Sequence, residues 1–179
     1  MAERITWDQY FMGLALLSAK RSKDTRSKNG ACIIDSHNRI VGIGYNWFPR
    51  GCPDDEFPHA RGRDEQGNLI RLYDSKHAYV VHAEANAILN SMGRNMEGAT
   101  LYCTMPTCNE CAKLIIQVWI KRVVYFASPT YENRDEFLAA KRMYASAGVL
   151  CEAYTGPVDT LELHYTDSHG RSEKKEDCC

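Results

Sequence analysis

Three short runs rich in β-branched and aromatic residues constrain the fold most, because a helical pattern separates each from the next. The runs are ATLYCT at 99 to 104, KRVVYFA at 121 to 127 and VLCEAY at 149 to 154. The segments between them, 108 to 120 and 133 to 148, are predicted to be helical. Strands joined through a helix run parallel in one sheet. The second half of the chain therefore predicts parallel βαβ crossovers.

The first half adds a helix and a hairpin. Trp7 and Phe11 begin a helical apolar pattern, and Thr6 with Gln9 three residues later predicts a capping box. The runs ACIID and IVGIGYN flank the turn SHNR, which is typical of an antiparallel hairpin. We predict an α/β fold, a three-layer α-β-α sandwich with a five-stranded mixed sheet.

Two segments lack such patterns. Residues 47 to 76 contain three prolines without sustained periodicity and predict a long loop, of the kind that is often functional. Residues 164 to 179 have almost no apolar content and are expected to be disordered. The predicted domain therefore spans residues 1 to 163.

Composition excludes several classes of protein. Of the 179 residues, 44% are hydrophobic, enough for one core, and 22 basic against 23 acidic residues do not suggest a nucleic-acid-coating protein. Apolar runs are too short for a membrane span, and the N-terminus lacks a signal peptide's apolar core. We expect a soluble, cytoplasmic protein without nucleic-acid or membrane partners. Its eight scattered cysteines favour metal ligands, catalytic groups or core residues over disulfides.

Two polar motifs stand at predicted helix starts. His82 and Glu84 form H-x-E, and Cys108 and Cys111 form C-x-x-C. A helix N-terminus favours thiolates, and two thiolates with the His82 imidazole can hold zinc if the helices lie side by side. Three protein ligands plus water is the pattern of catalytic zinc, which lowers the pKa of water to about 7. Glu84 is then placed to take and deliver a proton.

Each motif has a simpler interpretation when it stands alone. A C-x-x-C pair also fits a redox pair or half of a structural zinc site, and H-x-E is commonplace. The combination H-x-E with a later C-x-x-C is far more specific and is the signature of zinc-dependent deaminases.

The chain resembles the deoxycytidylate deaminases of the cytidine deaminase superfamily from about Trp7 to Tyr154. The matching stretches are RSKD, GACII, VGIGYN, GCPDD, HAEANAIL and CNECAKLIIQ. The resemblance implies a cytidine deaminase-like fold, zinc on His82, Cys108 and Cys111, and proton transfer by Glu84. It also implies attack of the activated water on C4 of dCMP, which yields ammonia and dUMP for thymidylate synthesis. Homohexamers, dCTP activation and dTTP inhibition are further implied properties.

Other residues are candidates for binding. By the resemblance Asn46 contacts the sugar or base, although asparagine is also common in turns. Lys23 and Arg26 can face the phosphate, or belong to a solvated charge run. Tyr131 follows the fourth predicted strand and can stack on cytosine, or be an ordinary core or surface tyrosine.

Some relatives of this family carry a second, structural zinc. The candidates for such a site here are Cys52, His59 and His77, which flank the long loop. The chain also departs from the family pattern at two positions. Thr107 stands where proline usually precedes the first zinc cysteine, and Trp47 stands where glycine usually follows GYN.

Three alternative functions stay open. A deaminase of dCTP, or of several deoxycytidine nucleotides, would keep the zinc motif and change the phosphate pocket. A deaminase of bases in nucleic acid would share the motif but is expected to have a more basic surface. A catalytically idle zinc-binding module would have no need of Glu84.

Overall fold

The computed structural model describes residues 4–63 and 66–157. One five-stranded sheet lies at its centre, in the order β2-β1-β3-β4-β5. Strand β1 is antiparallel to both β2 and β3, whereas β3, β4 and β5 are mutually parallel. The elements in chain order are α1 (Trp7–Ala19), β1 (Gly30–Ile34), β2 (Ile40–Tyr45), α2 (Ala83–Asn90), β3 (Thr100–Cys103), α3 (Asn109–Gln117), β4 (Arg122–Tyr125), α4 (Pro129–Glu132), α5 (Asp135–Ala147) and β5 (Leu150–Ala153).

Helices cover both faces of the sheet and create two apolar cores. Alternate residues of a strand point to opposite faces, so Ile33 faces the α2, α3 and α5 side while Cys32 and Ile34 face α1. All five residues of β1 are consequently buried. The predicted three-layer α-β-α sandwich with a mixed sheet is confirmed.

The start of α1 is the predicted capping box. The Thr6 side chain accepts a hydrogen bond from the Gln9 backbone N–H at 3.2 Å, and the Thr6 N–H donates to the Gln9 side chain at 2.7 Å. These two bonds satisfy backbone groups that the first helical turn leaves without partners.

The structure differs from the prediction in the ends of several elements. Helix α3 ends at Gln117 rather than near residue 120, and Trp119 has a left-handed φ of 63° just beyond it. Helix α4 was not predicted, and the loop from residue 47 contains two short 3-10 helices, Leu72–Asp74 and Lys76–Ala78. These short elements depend on local turn contacts rather than on a repeated apolar pattern.

The predicted disordered tail, residues 164 to 179, lies outside the described residues. Among helices of the described part of the chain, none is long and apolar enough to cross a membrane.

Candidate active site

A cleft of about 1460 Å³ lies at the carboxyl edge of β3 and β4, where the chain turns into α3 and α4. The N-terminus of α2 reaches the same edge, because α2 packs antiparallel on β2. Ligand sites of open α/β sheets lie at this edge, since neighbouring loops diverge there. The cleft is lined by residues of both predicted motifs, His82, Glu84 and Cys108.

The two motifs meet because both lie at the N-terminal ends of helices. His82 is the N-cap of α2, Cys108 is the N-cap of α3, and Cys111 lies within the first turn of α3. The Nδ1 atom of His82 lies 3.4 Å from the Sγ atoms of both Cys108 and Cys111. Across residues 4–63 and 66–157, this is the only group of at least three potential ligands that can hold a metal ion.

The geometry of this group fits zinc. Zinc–sulfur and zinc–nitrogen bonds of about 2.3 and 2.0–2.1 Å at tetrahedral angles place sulfur and nitrogen about 3.6 Å apart. The observed separations of 3.4 Å are close to that value. Two thiols and one imidazole also form a ligand set that zinc prefers, with one tetrahedral position left over.

Electrostatics favour one thiolate in this group. A hydrogen bond from Cys111 and the neighbouring His82 lower the pKa of Cys108 to about 4, against the opposing effect of burial. Donation to Cys108 and burial raise the pKa of Cys111. The Cys108 contact in turn raises the pKa of His82 to about 9. Without a metal, Cys108 and His82 therefore form a thiolate–imidazolium pair, and His82 releases its proton when it becomes a ligand.

Glu84 lies beside the ligand group and is almost fully buried, with 7% of its surface exposed. One carboxyl oxygen lies 3.6 Å from the Sγ of Cys111. Burial raises the pKa of Glu84, although the neighbouring His82 opposes this effect. A carboxyl group with a raised pKa at the wall of a cleft is suited to exchange protons with a bound molecule.

Asn46 lies on the cleft wall and organises the basic loop. Its Oδ1 accepts from the Asn29 backbone N–H at 2.7 Å, and its Nδ2 donates to the Ser27 carbonyl at 2.9 Å. The Ser22 hydroxyl donates to the Asn46 carbonyl at 2.8 Å. These bonds give Asn46 a structural role, and its contact with substrate stays a prediction.

The basic residues predicted for phosphate binding have different surroundings. Arg26 lines the cleft, whereas Lys23 pairs with Asp54 on the loop that follows β2. Arg61, which the sequence did not single out, also lines the cleft and donates to the Ser27 hydroxyl at 2.9 Å. Its segment, HARGRD, contains two arginines, but the loop has no regular spacing from which their positions in space could be predicted.

Tyr131 belongs to α4 and also lines the cleft. The Arg134 guanidinium lies 4.1 Å from the centroid of its ring, a cation–π contact. Arg134 lines the cleft as well and was also missed, although it follows Tyr131 by three residues. The ring is thereby held at the rim, and its stacking on a base stays a prediction.

The structure does not bring the proposed second zinc ligands together as a site. Among the described residues, no group that can hold a metal includes Cys52, His59 or His77. The Nε2 of His59 lies instead 2.9 Å from the carbonyl oxygen of Asp54, and its ring packs against Phe48. Their positions along one loop do not determine their separation in space. The loop folds so that the rings of Trp47, Phe57 and His59 pack around Phe48.

The two departures from the family pattern have defined surroundings. Thr107 is fully buried, and its Oγ1 lies 2.9 Å from the Tyr144 hydroxyl. The Trp47 indole N–H donates to Asp54 at 2.6 Å, and the Trp47 backbone pairs with Val81 beside His82. Both residues therefore adjoin a metal-ligand segment.

A layered α/β fold with a thiol and imidazole group and a buried carboxyl in one cleft defines a zinc-dependent enzyme of hydrolytic type. Residues 5–127 match the family described as the cytidine and deoxycytidylate deaminase zinc-binding region. The chain belongs to this family, and the predicted zinc cofactor is confirmed at the level of the family.

Comparisons with individual proteins agree. A probable deoxycytidylate deaminase of Drosophila melanogaster is 54% identical over 91% of this chain and 79% of its own length. The deoxycytidylate deaminase of Homo sapiens is 42% identical over 96% of this chain and 92% of its own. The fold matches a crystal structure of the dCMP deaminase from cyanophage S-TIM5 in complex with dCMP and dUMP. That match has a TM-score of 0.62 and 24% identity, over 86% of this chain and all of the other.

Proposed function

We propose that the protein hydrolyses dCMP to dUMP and ammonia, and thereby supplies dUMP for thymidylate synthesis. The observation that carries the proposal is that His82, Cys108 and Cys111 converge beside the buried Glu84 within one cleft. Deoxycytidylate deaminases at 42% and 54% identity over most of the chain support the choice of substrate.

His82, Cys108 and Cys111 would hold the zinc ion. Zinc bound there supplies a Lewis acid that lowers the pKa of water to about 7, so that a nucleophile forms near neutral pH. In the reaction a C4–O bond forms and the C4–N bond to the amino group breaks. Glu84 passes one proton of the attacking water to the ring nitrogen beside C4 and the second to the amino group, which leaves as ammonia. This proton transfer contributes about 10²- to 10⁴-fold.

The walls of the cleft suggest how the nucleotide is oriented. Arg26 and Arg61 form a cationic side near Ser27, suited to the phosphate. Tyr131 offers an aromatic ring to the cleft, suited to the base. Asn46 would contact the sugar or base from the end of β2. Lys23 would contribute less than Arg26, because its ammonium is paired with Asp54.

The test is ammonia release from dCMP, dCTP and deoxycytidine by zinc-loaded protein. We expect dCMP to have the highest kcat/KM, and Glu84→Gln to lower kcat by at least about 10²-fold while zinc stays bound. Glu97→Gln, an exposed carboxylate remote from the cleft, is the matched control and should leave kcat unchanged. A preference for dCTP would show that the phosphate pocket was misassigned. Full activity of Glu84→Gln would contradict the proposed proton transfer.

We also propose a homo-oligomeric, cytoplasmic enzyme whose deaminase domain spans residues 1–163. Hexamers, dCTP activation and dTTP inhibition are implied by the family resemblance. By the resemblance the effector site involves the GYN to GCPDD loop, which contains Trp47 where the family usually has glycine. The Trp47 indole packs there against Phe48 and donates to Asp54. Analytical ultracentrifugation with and without dCTP and dTTP, alongside dCMP turnover, tests the assembly and the response to effectors.

A further inference from the structure

Two buried hydroxyl groups connect α5 to the first cysteine of the metal-ligand group. Thr107 immediately precedes Cys108 and is fully buried, although it lies in the turn that leads from β3 into α3. Its Oγ1 lies 2.9 Å from the hydroxyl of Tyr144 on α5. Tyr144 is also buried, with 1% of its surface exposed. A side chain far along the sequence thus contacts the residue next to a predicted zinc ligand.

Each hydroxyl depends on the other. Among residues 4–63 and 66–157, the Thr107 and Tyr144 hydroxyls form side-chain hydrogen bonds only with each other. Because both groups are buried, losing one partner leaves the other hydroxyl with an unmet hydrogen bond, which is more costly than at a surface. Burial raises the pKa of Tyr144, so its hydroxyl keeps its proton and can donate.

The contact acts on the short backbone segment that leads from Pro106 into α3. Cys108 is the N-cap of α3, with an extended backbone at φ −78° and ψ 169°, and no side chain caps this helix start. A proline before Cys108, as is usual in the family, would restrict the turn through its ring. Threonine imposes no such restriction, so the hydrogen bond to Tyr144 supplies the constraint from outside the turn.

We propose that Thr107 and Tyr144 are positioning residues, whose hydrogen bond holds the Cys108 thiol in the arrangement that binds zinc. The inference rests on the proposed role of Cys108 as a ligand. Partners that orient a metal ligand typically change metal affinity by about 10- to 100-fold when they are removed. Loss of this bond should therefore weaken zinc binding through the geometry of Cys108, without removing any ligand.

The experiment measures metal affinity and ligand geometry separately from activity. Thr107→Val and Tyr144→Phe each remove one hydroxyl, Thr107→Ser keeps it, and the double variant removes both. Zinc affinity is measured by competition with a chelator, and ligand geometry by the visible absorption of the Co²⁺-loaded protein. Tyr102→Phe is the matched control, because it removes a hydroxyl from another buried tyrosine, one that belongs to the opposite core and bonds the partly exposed Asp8.

We expect each single hydroxyl deletion to weaken zinc binding about 10-fold and to alter the Co²⁺ spectrum. The double variant should weaken binding no more than either single one, and Thr107→Ser should retain wild-type affinity. The inference is overturned if the deletions lower thermal stability as Tyr102→Phe does but leave zinc affinity and the spectrum unchanged. If that result came with normal dCMP turnover, the proposed function would stand. A wild-type protein that bound no zinc would overturn both.

Discussion

Gly44 of β2 lies against the backbone of Ala83 and Ala87 in α2, so closely that a Cβ atom at Gly44 would be 2.3 Å from the Ala83 carbonyl oxygen. No side chain fits such a gap. This close approach places the first turn of α2, and with it His82, at the edge of the sheet. The second glycine of the GIGY stretch, Gly44, is therefore required for the site as well as for the core.

Gly44→Ala should lower the free energy of unfolding by about 3 kcal/mol, because α2 must move away from β2. It should also weaken zinc binding, since His82 moves with the helix. Gly13→Ala is the control: a Cβ there meets nothing within 4 Å, and alanine in a helix is expected to stabilise by about 0.5–1 kcal/mol. Urea unfolding measures the change in stability of both variants. Equal stability of the two variants would contradict the close approach.

Cys108→Ser should abolish stoichiometric zinc binding, because it removes a ligand rather than a group that orients one. The expected loss of affinity exceeds the 10- to 100-fold that is typical of outer partners. Cys52→Ser is the control, since Cys52 lies outside the ligand group. Metal analysis should find one zinc per wild-type and per Cys52→Ser chain. Two zinc ions per wild-type chain, with one lost in Cys52→Ser, would restore the second site.

Asp24 and Lys76 form a buried ion pair in the wall of the cleft, and Asp24 also accepts from the N–H groups of Arg26 and Ser27. Burial raises the pKa of Asp24, but these bonds outweigh it and the net pKa is lowered. Between the folded and unfolded values the unfolded chain binds more protons, so stability falls as the pH decreases below about 5. This acid sensitivity should be smaller in Asp24→Asn.

At pH 7 Asp24→Asn should cost about 3–5 kcal/mol, because it leaves the Lys76 charge buried without a partner. The double variant Asp24→Asn/Lys76→Met should regain part of that loss. Asp55→Asn, at an exposed position, should change stability by less than about 0.5 kcal/mol. Denaturant unfolding at pH 7 and pH 4 provides the comparison. An unchanged pH slope in Asp24→Asn would contradict the assigned pKa direction.

Arg26→Gln and Arg61→Gln should each raise KM for dCMP about 10-fold, since each charge-assisted bond to phosphate contributes about 1.5–3 kcal/mol. Turnover of deoxycytidine, which has no phosphate, should change little. Lys28→Gln is the control, because Lys28 lies on the same loop outside the cleft lining. Parallel kinetics on both substrates separate the outcomes. An equal loss on both substrates would point to a structural role for these arginines.

Stability should depend on a second network, on the α1 side of the sheet. Asp8 accepts from the Tyr102 hydroxyl at 2.6 Å and from both terminal nitrogens of Arg122 at 3.0 and 2.8 Å. Asp8→Asn should lower the free energy of unfolding by about 1–2 kcal/mol. Asp74→Asn, from the exposed pair with Arg71, should have an effect below about 0.5 kcal/mol. Thermal unfolding of both variants measures whether the partly buried network of Asp8 contributes more than the exposed pair.

Much of the fold could be predicted because the elements have local signals. The cap formed by Thr6 and Gln9 was predicted from residue type. The helix predicted over 133 to 148 ends as expected, at Gly148, which has a left-handed φ of 66°. Helix α4 and the early end of α3 at Gln117 were missed. Their boundaries depend on contacts of single turns, which leave no periodic pattern in the sequence.

The residues around the metal group show the same division. Arg61 and Arg134 reach the cleft through tertiary packing of irregular segments, so their spacing in the chain carried little information. Conversely, Cys52, His59 and His77 have suitable chemistry but are not brought together within the described part of the chain. Residue type determines whether a side chain can bind zinc, whereas the folding of the loop determines whether such side chains come together.

The sequence by itself determined the order of helices and strands, the parallel crossovers and the chemistry of H-x-E with C-x-x-C. These properties follow from local periodicity, capping and the side chains themselves. Only the tertiary structure decided that His82 faces Cys108 and Cys111, that Lys23 turns to Asp54, and that Thr107 bonds Tyr144. These contacts join residues distant in the chain, so they form only when the packing of helices and loops on the sheet brings those residues together.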